Sequence, residues 1–134
     1  MKRIIIFGLI VGIISIGISS CGLLGTSMSD RVGIFEDDLN GSRSNIMDNI
    51  HPDAPGYDNA NIAGYWESSA YVWASEDQPF SITSISEGSS SIYATFNSQG
   101  FTDANIYLEM ENDGGLFGDD WKIWSCTVGG TEQF

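Results

Sequence analysis

Between residues 29 and 50, apolar side chains recur at the spacing of an α-helix. Successive members of the set lie three, four, seven and four residues apart, which places them on one helical face. The set comprises Val32, Phe35, Leu39, Ile46 and Ile50. Ser29 is suited to cap the start of this helix, and Asp30 lies favourably in its first turn. The pattern predicts a helical region that packs one apolar face on a core.

The tripeptide Asn40-Gly41-Ser42 is expected to interrupt this helical pattern, because these residues favour turns over helix interiors. We therefore predict two short helices, the second capped by Ser42 or Ser44. The dipeptide His51-Pro52 should end the second helix, since a residue before proline avoids helical geometry.

Residues 53–61 are predicted as a loop with its turn at Pro55-Gly56. Residues 62–70 are predicted as a third, short helix, although Gly64 disfavours helix formation there.

In the second half of the chain the hydrophobic period changes from about 3.6 to two, which is typical of half-buried strands. The predicted strands are residues 80–82, 92–96, 106–110 and 121–128, with a break at 87–89, a loop at 112–120 and a further short strand at 71–74. Helical patterns followed by strand patterns indicate an α+β domain. We expect two or three N-terminal helices packed on a curved antiparallel sheet of about four strands.

The N-terminus has the three parts of a secretory signal. Lys2 and Arg3 precede an apolar run of 15 residues, 4–18, and Ser19 and Ser20 follow it. A membrane-spanning helix needs about 20 apolar residues, so this run is short for a permanent anchor. Two alternatives stay open at this point: an uncleaved membrane helix, and an ordinary signal peptide cut before a plain cysteine.

The sequence Ile18-Ser19-Ser20-Cys21-Gly22 resembles the lipobox of bacterial lipoproteins. The resemblance implies that Cys21 is acylated and becomes the mature N-terminus. It divides the chain into a signal peptide (1–20), a lipidated tether (21–29) and one folded domain (30–134). It also implies export from the cytoplasm and lipid anchoring to the cell membrane or the outer membrane, because two or more acyl chains hold a protein stably.

Removing a leader that carries Lys2 and Arg3 changes the formal charge from −13 to −15. The remaining cations, Arg31, Arg43 and Lys122, face 18 acidic residues. Such a surface repels nucleic acid and anionic headgroups, so nucleic-acid binding is excluded. The acids are scattered, which favours solubility as their role over recognition of a cationic partner or of divalent ions.

With Cys21 lipidated, Cys126 is left without a disulfide partner. Its apolar neighbours Ile123, Trp124 and Val128 predict a core strand in which an unpaired cysteine packs as a small hydrophobe. His51 is the single histidine, so multi-histidine metal centres are excluded. We expect His51 to act as a polar residue at a helix end, and we expect no cofactor.

The order of elements, together with His51-Pro52-Asp53 and Trp121-Lys122-Ile123, resembles the nuclear-transport-factor-2-like superfamily, with its cystatin-like α+β architecture. The resemblance covers about residues 29–128. It implies helices and a concave sheet that enclose a cone, which is either a small-molecule pocket or filled by side chains. A β-rich sandwich is the alternative if the helical region is misassigned.

Aromatic residues are the candidates for lining such a cone, and we expect a filled core in preference to a ligand pocket. The principal candidates are Phe35, Tyr65, Trp66, Trp73, Phe96 and Trp124, with Tyr71, Phe80 and Trp121 as further members. A base for isomerase or dehydratase chemistry would have to be Asp58, Glu67 or His51. None of the three lies in a recognisable catalytic spacing, and no nucleophile elbow or phosphate-binding glycine loop occurs.

A weak calcium-binding pattern begins in the third predicted strand. Glu109, Glu111, Asp113, Gly114 and Asp120 occupy positions 1, 3, 5, 6 and 12 of a calcium-binding loop. The pattern has Glu at position 1, Asp at position 12 and strands on both sides, so an acidic hairpin loop explains the same residues.

The sequence therefore predicts a membrane-anchored envelope lipoprotein whose domain is a non-catalytic binding or scaffolding module. An envelope protein or a small apolar ligand is the expected partner. The alternative is a small-molecule carrier or an isomerase- or dehydratase-like enzyme that uses the cone. The oligomeric state stays open.

Overall fold

The computed structural model describes residues 25–114 and 118–134. The predicted signal peptide and Cys21 lie outside these residues. The described chain is an α+β fold with two α-helices, two 3₁₀ turns and a five-stranded antiparallel sheet. In chain order the elements are α1 (Met28–Asn40), a 3₁₀ turn (Ile46–Asn49), α2 (Tyr57–Ala60), a 3₁₀ turn (Ser75–Asp77), β1 (Ser81–Glu87), β2 (Ser91–Asn97), β3 (Ala104–Asn112), β4 (Trp121–Val128) and β5 (Thr131–Glu132).

Helix α1 is capped by Ser27, not by Ser29 as predicted. The Ser27 hydroxyl accepts a hydrogen bond from the Asp30 backbone N–H at 3.1 Å and donates to the Asp30 carboxylate at 2.8 Å. Ser29 is the second residue of the helix, and its N–H and hydroxyl both bond to the Glu87 carboxylate. The cap lies two residues earlier than predicted, because the Thr26 backbone is already hydrogen-bonded to Asp119 and Trp121. The buried face of α1 consists of Met28, Arg31, Val32, Phe35 and Leu39.

The second predicted helix is only a 3₁₀ turn, Ile46–Asn49, with Asn45 at its start and no side-chain cap. The Ser42 and Ser44 hydroxyls bond to each other at 2.9 Å, so the predicted caps are wrong. The physical cause lies at Arg43, whose φ of 61° is in the left-handed region and reverses the chain direction.

The third predicted helix is also wrong. Residues 62–70 form successive turns, and residues 71–74 are a turn, not a strand. Helix α2 lies instead in residues 57–60, which were predicted as loop. Gly64 has a φ of +82°, a conformation that interrupts a right-handed helix and that glycine adopts at little cost.

The five strands form an antiparallel meander in the order β1-β2-β3-β4-β5. The four predicted strands are confirmed, with ends extended by up to five residues. Strand β5 was not predicted, because it is only two residues long and follows a Gly129-Gly130 turn with positive φ at both positions. Register shifts occur between Thr83 and Ser86 in β1 and at Glu109/Met110 in β3.

Helix α1 covers both a face and an edge of the sheet. The Asn40 amide exchanges hydrogen bonds with the Phe80 N–H and C=O at 2.7 and 2.8 Å. The Glu36 carboxylate accepts from the Ile82 N–H at 2.7 Å. These contacts occupy backbone groups that an edge strand would otherwise leave open to pairing with another chain.

Alternation along the strands divides the sheet into two faces. The inner face, which packs against α1 and the turns, carries Ile92, Ala94, Phe96, Ile106, Leu108, Met110, Ile123, Cys126 and Val128. The opposite side chains of β2 and β3 form the outer face and are exposed or half-buried.

The folded domain begins before residue 30. The Thr26 N–H donates to the Asp119 C=O at 2.7 Å, and the Trp121 N–H donates to the Thr26 C=O at 3.0 Å. Residues 26–29, predicted as tether, therefore belong to the fold. Neither helix of residues 25–114 and 118–134 is long and apolar enough to cross a membrane.

Candidate functional site

A cluster of aromatic rings fills the space between α1, the turns and the inner face. Trp73 lies at its centre, and its ring centroid is 5.7 Å from Phe35, 5.7 Å from Trp66 and 5.6 Å from Phe96. Phe134, which was not predicted to take part, contacts Trp66 at 5.7 Å. Trp73, Phe35 and Phe96 have no solvent exposure. The cluster therefore brings together five of the six principal aromatic candidates: Phe35, Tyr65, Trp66, Trp73 and Phe96.

The cluster is packed by its own side chains. Five surface clefts in the described part of the chain are lined by other residues, and Phe35, Trp66, Trp73 and Phe96 line none of these five. The Tyr65 ring meets the Trp66 ring in a T-shaped contact, its hydroxyl donates to the Gln133 C=O at 2.5 Å, and burial raises its pKa to about 12. A proton-transfer role for this phenol near neutral pH is therefore unfavourable.

Trp124, the sixth aromatic candidate, lies away from the cluster. It occupies the register shift between β3 and β4, and its half-buried ring is 5.2 Å from the His51 ring. His51 accepts a hydrogen bond at Nδ1 from the Asp53 N–H at 3.1 Å, and its Nε2 is 3.5 Å from the Asp113 carboxylate. His51 therefore joins a loop to the β3–β4 hairpin.

The two carboxylates considered as bases, Asp58 and Glu67, are exposed. Neither is enclosed with the aromatic cluster, so the structure does not assemble the predicted isomerase-like constellation.

The four candidate calcium ligands are not brought together. Asp113 lies 3.5 Å from His51 and 3.6 Å from Lys122, while Asp120 lies 2.7 Å from Arg31. Glu109 and Glu111 project from the outer face of β3. Within the residues that the structure describes, no group of three His, Cys, Asp or Glu side chains could hold a metal ion.

Arg31 links α1 to the start of β4. Its guanidinium donates to the Trp121 C=O at 2.8 Å, to the Asn49 side chain at 3.2 Å and to Asp120 at 2.7 Å. Asn49 in turn donates to the Asp38 carboxylate at 2.6 Å. The network satisfies a cation that is 8% exposed.

Arg43 is equally buried. Its Nε donates to the Leu39 C=O at 2.9 Å, a second nitrogen donates to the Trp66 C=O, and its guanidinium lies 5.4 Å above the Phe80 ring. Burial lowers its pKa, and the charge of Glu67 partly opposes that shift. Arg43 thus fixes the end of α1 to the aromatic cluster.

Cys126 is buried on the inner face, opposite Leu108 of β3, and forms no disulfide within residues 25–114 and 118–134. Burial raises the pKa of its thiol, so the thiolate that would react is disfavoured.

The outer face carries an exposed aromatic pair that sequence reasoning missed. Tyr93 of β2 and Tyr107 of β3 are directly opposite each other, with ring centroids 4.6 Å apart and ring planes tilted by 41°. Tyr93 is 59% exposed, more than a core aromatic permits. The available signal was its position between the inward-facing Ile92 and Ala94, which directs Tyr93 outward.

Two clefts flank Tyr107. The first, of about 470 Å³, is lined by Tyr93, Ala94, Asn105, Ile106, Tyr107, Thr127 and Gly130. The second, of about 260 Å³, is lined by Ser90, Ser91, Tyr107, Glu109, Met110, Glu111 and Trp124. We name Tyr93, Tyr107, Glu109, Glu111 and Trp124 the outer-face site.

Electrostatics at the outer-face site are set by its carboxylates. Desolvation, followed by the neighbouring Tyr93 and Glu109, raises the pKa of Tyr107, so its hydroxyl stays protonated and can donate. One Glu109 oxygen accepts from the Ser125 hydroxyl at 3.1 Å. The site combines ring faces, hydroxyl donors and carboxylate acceptors.

No family model, no curated protein and no solved structure matches this chain. The function of this chain is therefore inferred from the residues of the site.

Proposed function

We propose that this chain is a lipid-anchored envelope protein whose domain binds a partner through the outer-face site and does not act as an enzyme. One observation carries the proposal. The interior that a carrier or isomerase would use is filled by Trp73 and its aromatic neighbours, whereas Tyr93 is exposed and lines a cleft on the outer face together with Tyr107.

The N-terminal sequence and the position of Thr26 support the anchor. Gly25 follows Cys21 by four residue steps, and an extended chain spans at most about 3.5 Å per step, or about 14 Å in all. Thr26 is bonded to Asp119 beside the β3–β4 loop. In a lipoprotein acylated at Cys21, this end of the domain faces the bilayer, and its acids disfavour contact with anionic headgroups.

Mass spectrometry of the purified native protein tests the anchor. We expect acyl mass on a mature N-terminus at Cys21 and its loss in Cys21→Ser. An unmodified N-terminus, or a retained leader, would contradict lipid anchoring.

We further propose that the fold is cone-like in the manner of the nuclear-transport-factor-2-like superfamily. Support comes from α1 packed on one face of an antiparallel sheet, with the aromatic cluster between them. The proposal of a binding module depends on the outer-face site and not on this assignment.

Site-specific photocrosslinking in intact cells tests the outer-face site. A photoreactive residue replaces Tyr93 in one variant and Ile62 in another, since Ile62 is 61% exposed and does not line the site. We expect an adduct of defined mass from position 93 alone. The same adducts from both positions, or none from 93, would contradict a binding site on the outer face.

A further inference from the structure

We infer that the outer-face site recognises a cationic segment of a partner protein, with an arginine or lysine side chain lying on the tyrosine pair and its charged end at Glu109 and Glu111. The inference rests on the proposed function. It names the chemistry of the partner that this function requires.

The charge distribution of the domain determines the sign of the charge that its partner carries. Arg31 and Arg43 are each 8% exposed and bonded internally, and the Lys122 ammonium lies 3.6 Å from Asp113. These are all the cations of residues 25–134, against 18 acidic residues. The accessible charge is therefore almost entirely negative, so anionic partners and second copies of this domain are repelled.

The two clefts select the shape of the ligand. The cleft that Tyr93 and Tyr107 line together offers aromatic side chains and backbone, which suit the hydrocarbon stem of a long basic side chain. The adjoining cleft brings Glu109 and Glu111 to the other side of Tyr107. A cation that passes from one cleft to the other contacts an aromatic face and a carboxylate at once.

The carboxylates have acceptor capacity to spare. Glu109 uses one oxygen to bind Ser125, and Glu111 is exposed with no side-chain hydrogen bond in the described part of the chain. A guanidinium, which is planar and donates in a fixed fork, can stack on tyrosine and pair with a carboxylate. Arginine therefore fits this site better than lysine.

Calorimetry with the purified full-length lipoprotein in detergent tests the inference. The probes are a 12-residue peptide of alternating arginine and serine, and its counterpart with neutral citrulline at each arginine. We expect the arginine peptide to bind at 0.15 M salt and the citrulline peptide to bind at least about tenfold more weakly, because the charge-assisted contact is lost.

Two variants and a matched control locate the binding. Glu109→Gln with Glu111→Gln, and separately Tyr93→Ala, should each weaken the arginine peptide at least about tenfold. Asp58→Asn with Glu76→Gln removes the same charge from exposed positions outside the site, and should change the affinity less than about twofold. The unfolding midpoint of each variant confirms that it is folded.

Five outcomes would overturn the inference. An equal loss of affinity in the control pair would mean that the arginine peptide is attracted non-specifically by the negative charge of the domain. Equal binding of the citrulline peptide would mean that the positive charge of the ligand does not contribute to recognition. Binding of a neutral chitin oligosaccharide that depends on Tyr93 but not on the carboxylates would identify a glycan as the ligand. If neither peptide binds while crosslinking from position 93 persists, the cationic partner is wrong and the proposed function stands. If the crosslink from position 93 is also absent, both the cationic partner and the proposed function are wrong.

Discussion

The two faces of the same sheet use aromatic side chains in opposite ways. On the inner face, Phe96 packs its edge against Trp73, and neither ring has any solvent exposure. On the outer face, Tyr93 and Tyr107 are also in contact, yet Tyr93 is 59% exposed. Both pairs are closely spaced, so proximity of rings does not distinguish a core from a binding surface. The two pairs differ in whether other parts of the chain pack over the rings.

Charged residues show the same division. Arg31 is enclosed and bonded to carbonyl and carboxylate partners, and Arg43 is enclosed with one guanidinium nitrogen left without a partner among the described residues, whereas Glu109 and Glu111 are exposed on the outer face. The inner side therefore contributes stability, and the outer side retains unsatisfied capacity for a partner.

The largest expected effect is on the inner face. Trp73→Ala should lower the free energy of unfolding by about 3–5 kcal/mol, because it leaves a cavity among Phe35, Trp66 and Phe96. Urea denaturation measures the change. A loss below about 1 kcal/mol would mean that the Trp73 ring is not enclosed. The two faces of the sheet would then not differ in how far their aromatic rings are buried.

The buried cation comes next. Arg31→Ala should cost about 3 kcal/mol, at the lower end for a buried pair because the Asp120 side chain is 30% exposed. Lys122→Ala is the matched control, and we expect it to cost less than about 1 kcal/mol. Chemical denaturation of both variants checks the difference, and equal losses would show that Arg31 is no better enclosed than Lys122.

Cys126 gives a pH test of the inner face. Burial raises the pKa of its thiol in the folded state above the unfolded value of about 8.5, so its contribution to stability is fully present below that pH and is lost as pH rises. At pH 10 the folded protein should have lost roughly 2 kcal/mol relative to pH 7 through this group.

Comparing wild type with Cys126→Ala isolates that contribution, since other groups titrate in both proteins. The pH dependence of unfolding between pH 7 and 10 should be shallower in the variant. Identical profiles, or rapid alkylation of the native thiol at pH 8, would show that the inner face is accessible to water.

The smallest expected effect on stability lies on the outer face. Tyr93→Ala should change the free energy of unfolding by less than about 1 kcal/mol, because more than half of the side chain is already exposed. Thermal or urea unfolding checks this value. A cost comparable to that of Trp73→Ala would assign Tyr93 a structural role and weaken its assignment to a binding site.

Much of the sheet could be predicted from local pattern. The alternation at 92–96 and 106–110 identified β2 and β3, and the same alternation directs Tyr93 and Tyr107 outward. The pair was missed because aromatic residues were considered only as core. The helical region was harder, since Arg43 and Gly64 adopt left-handed backbone angles that residue spacing does not reveal.

The candidate site was less accessible to sequence reasoning than the fold. Asp113 and Asp120 have the spacing of calcium ligands, but the structure gives each a cation that is distant in sequence: His51 and Lys122 for Asp113, and Arg31 for Asp120. Such pairings depend on which elements become neighbours. The assignment of Trp124 to the cone failed in the same way, because the sequence does not reveal the register shift in β4 that places Trp124 beside His51.

The sequence by itself determined the negative charge, the α+β order and the positions of four strands, because each is a property of composition or of a local period. Only the tertiary structure decided that the aromatic cluster is filled, that both arginines are enclosed and that Tyr93 is exposed beside a half-buried Tyr107. The physical reason is that alternation assigns side chains to a face, whereas burial depends on what packs against that face. Helix α1 and the turns cover the inner face alone.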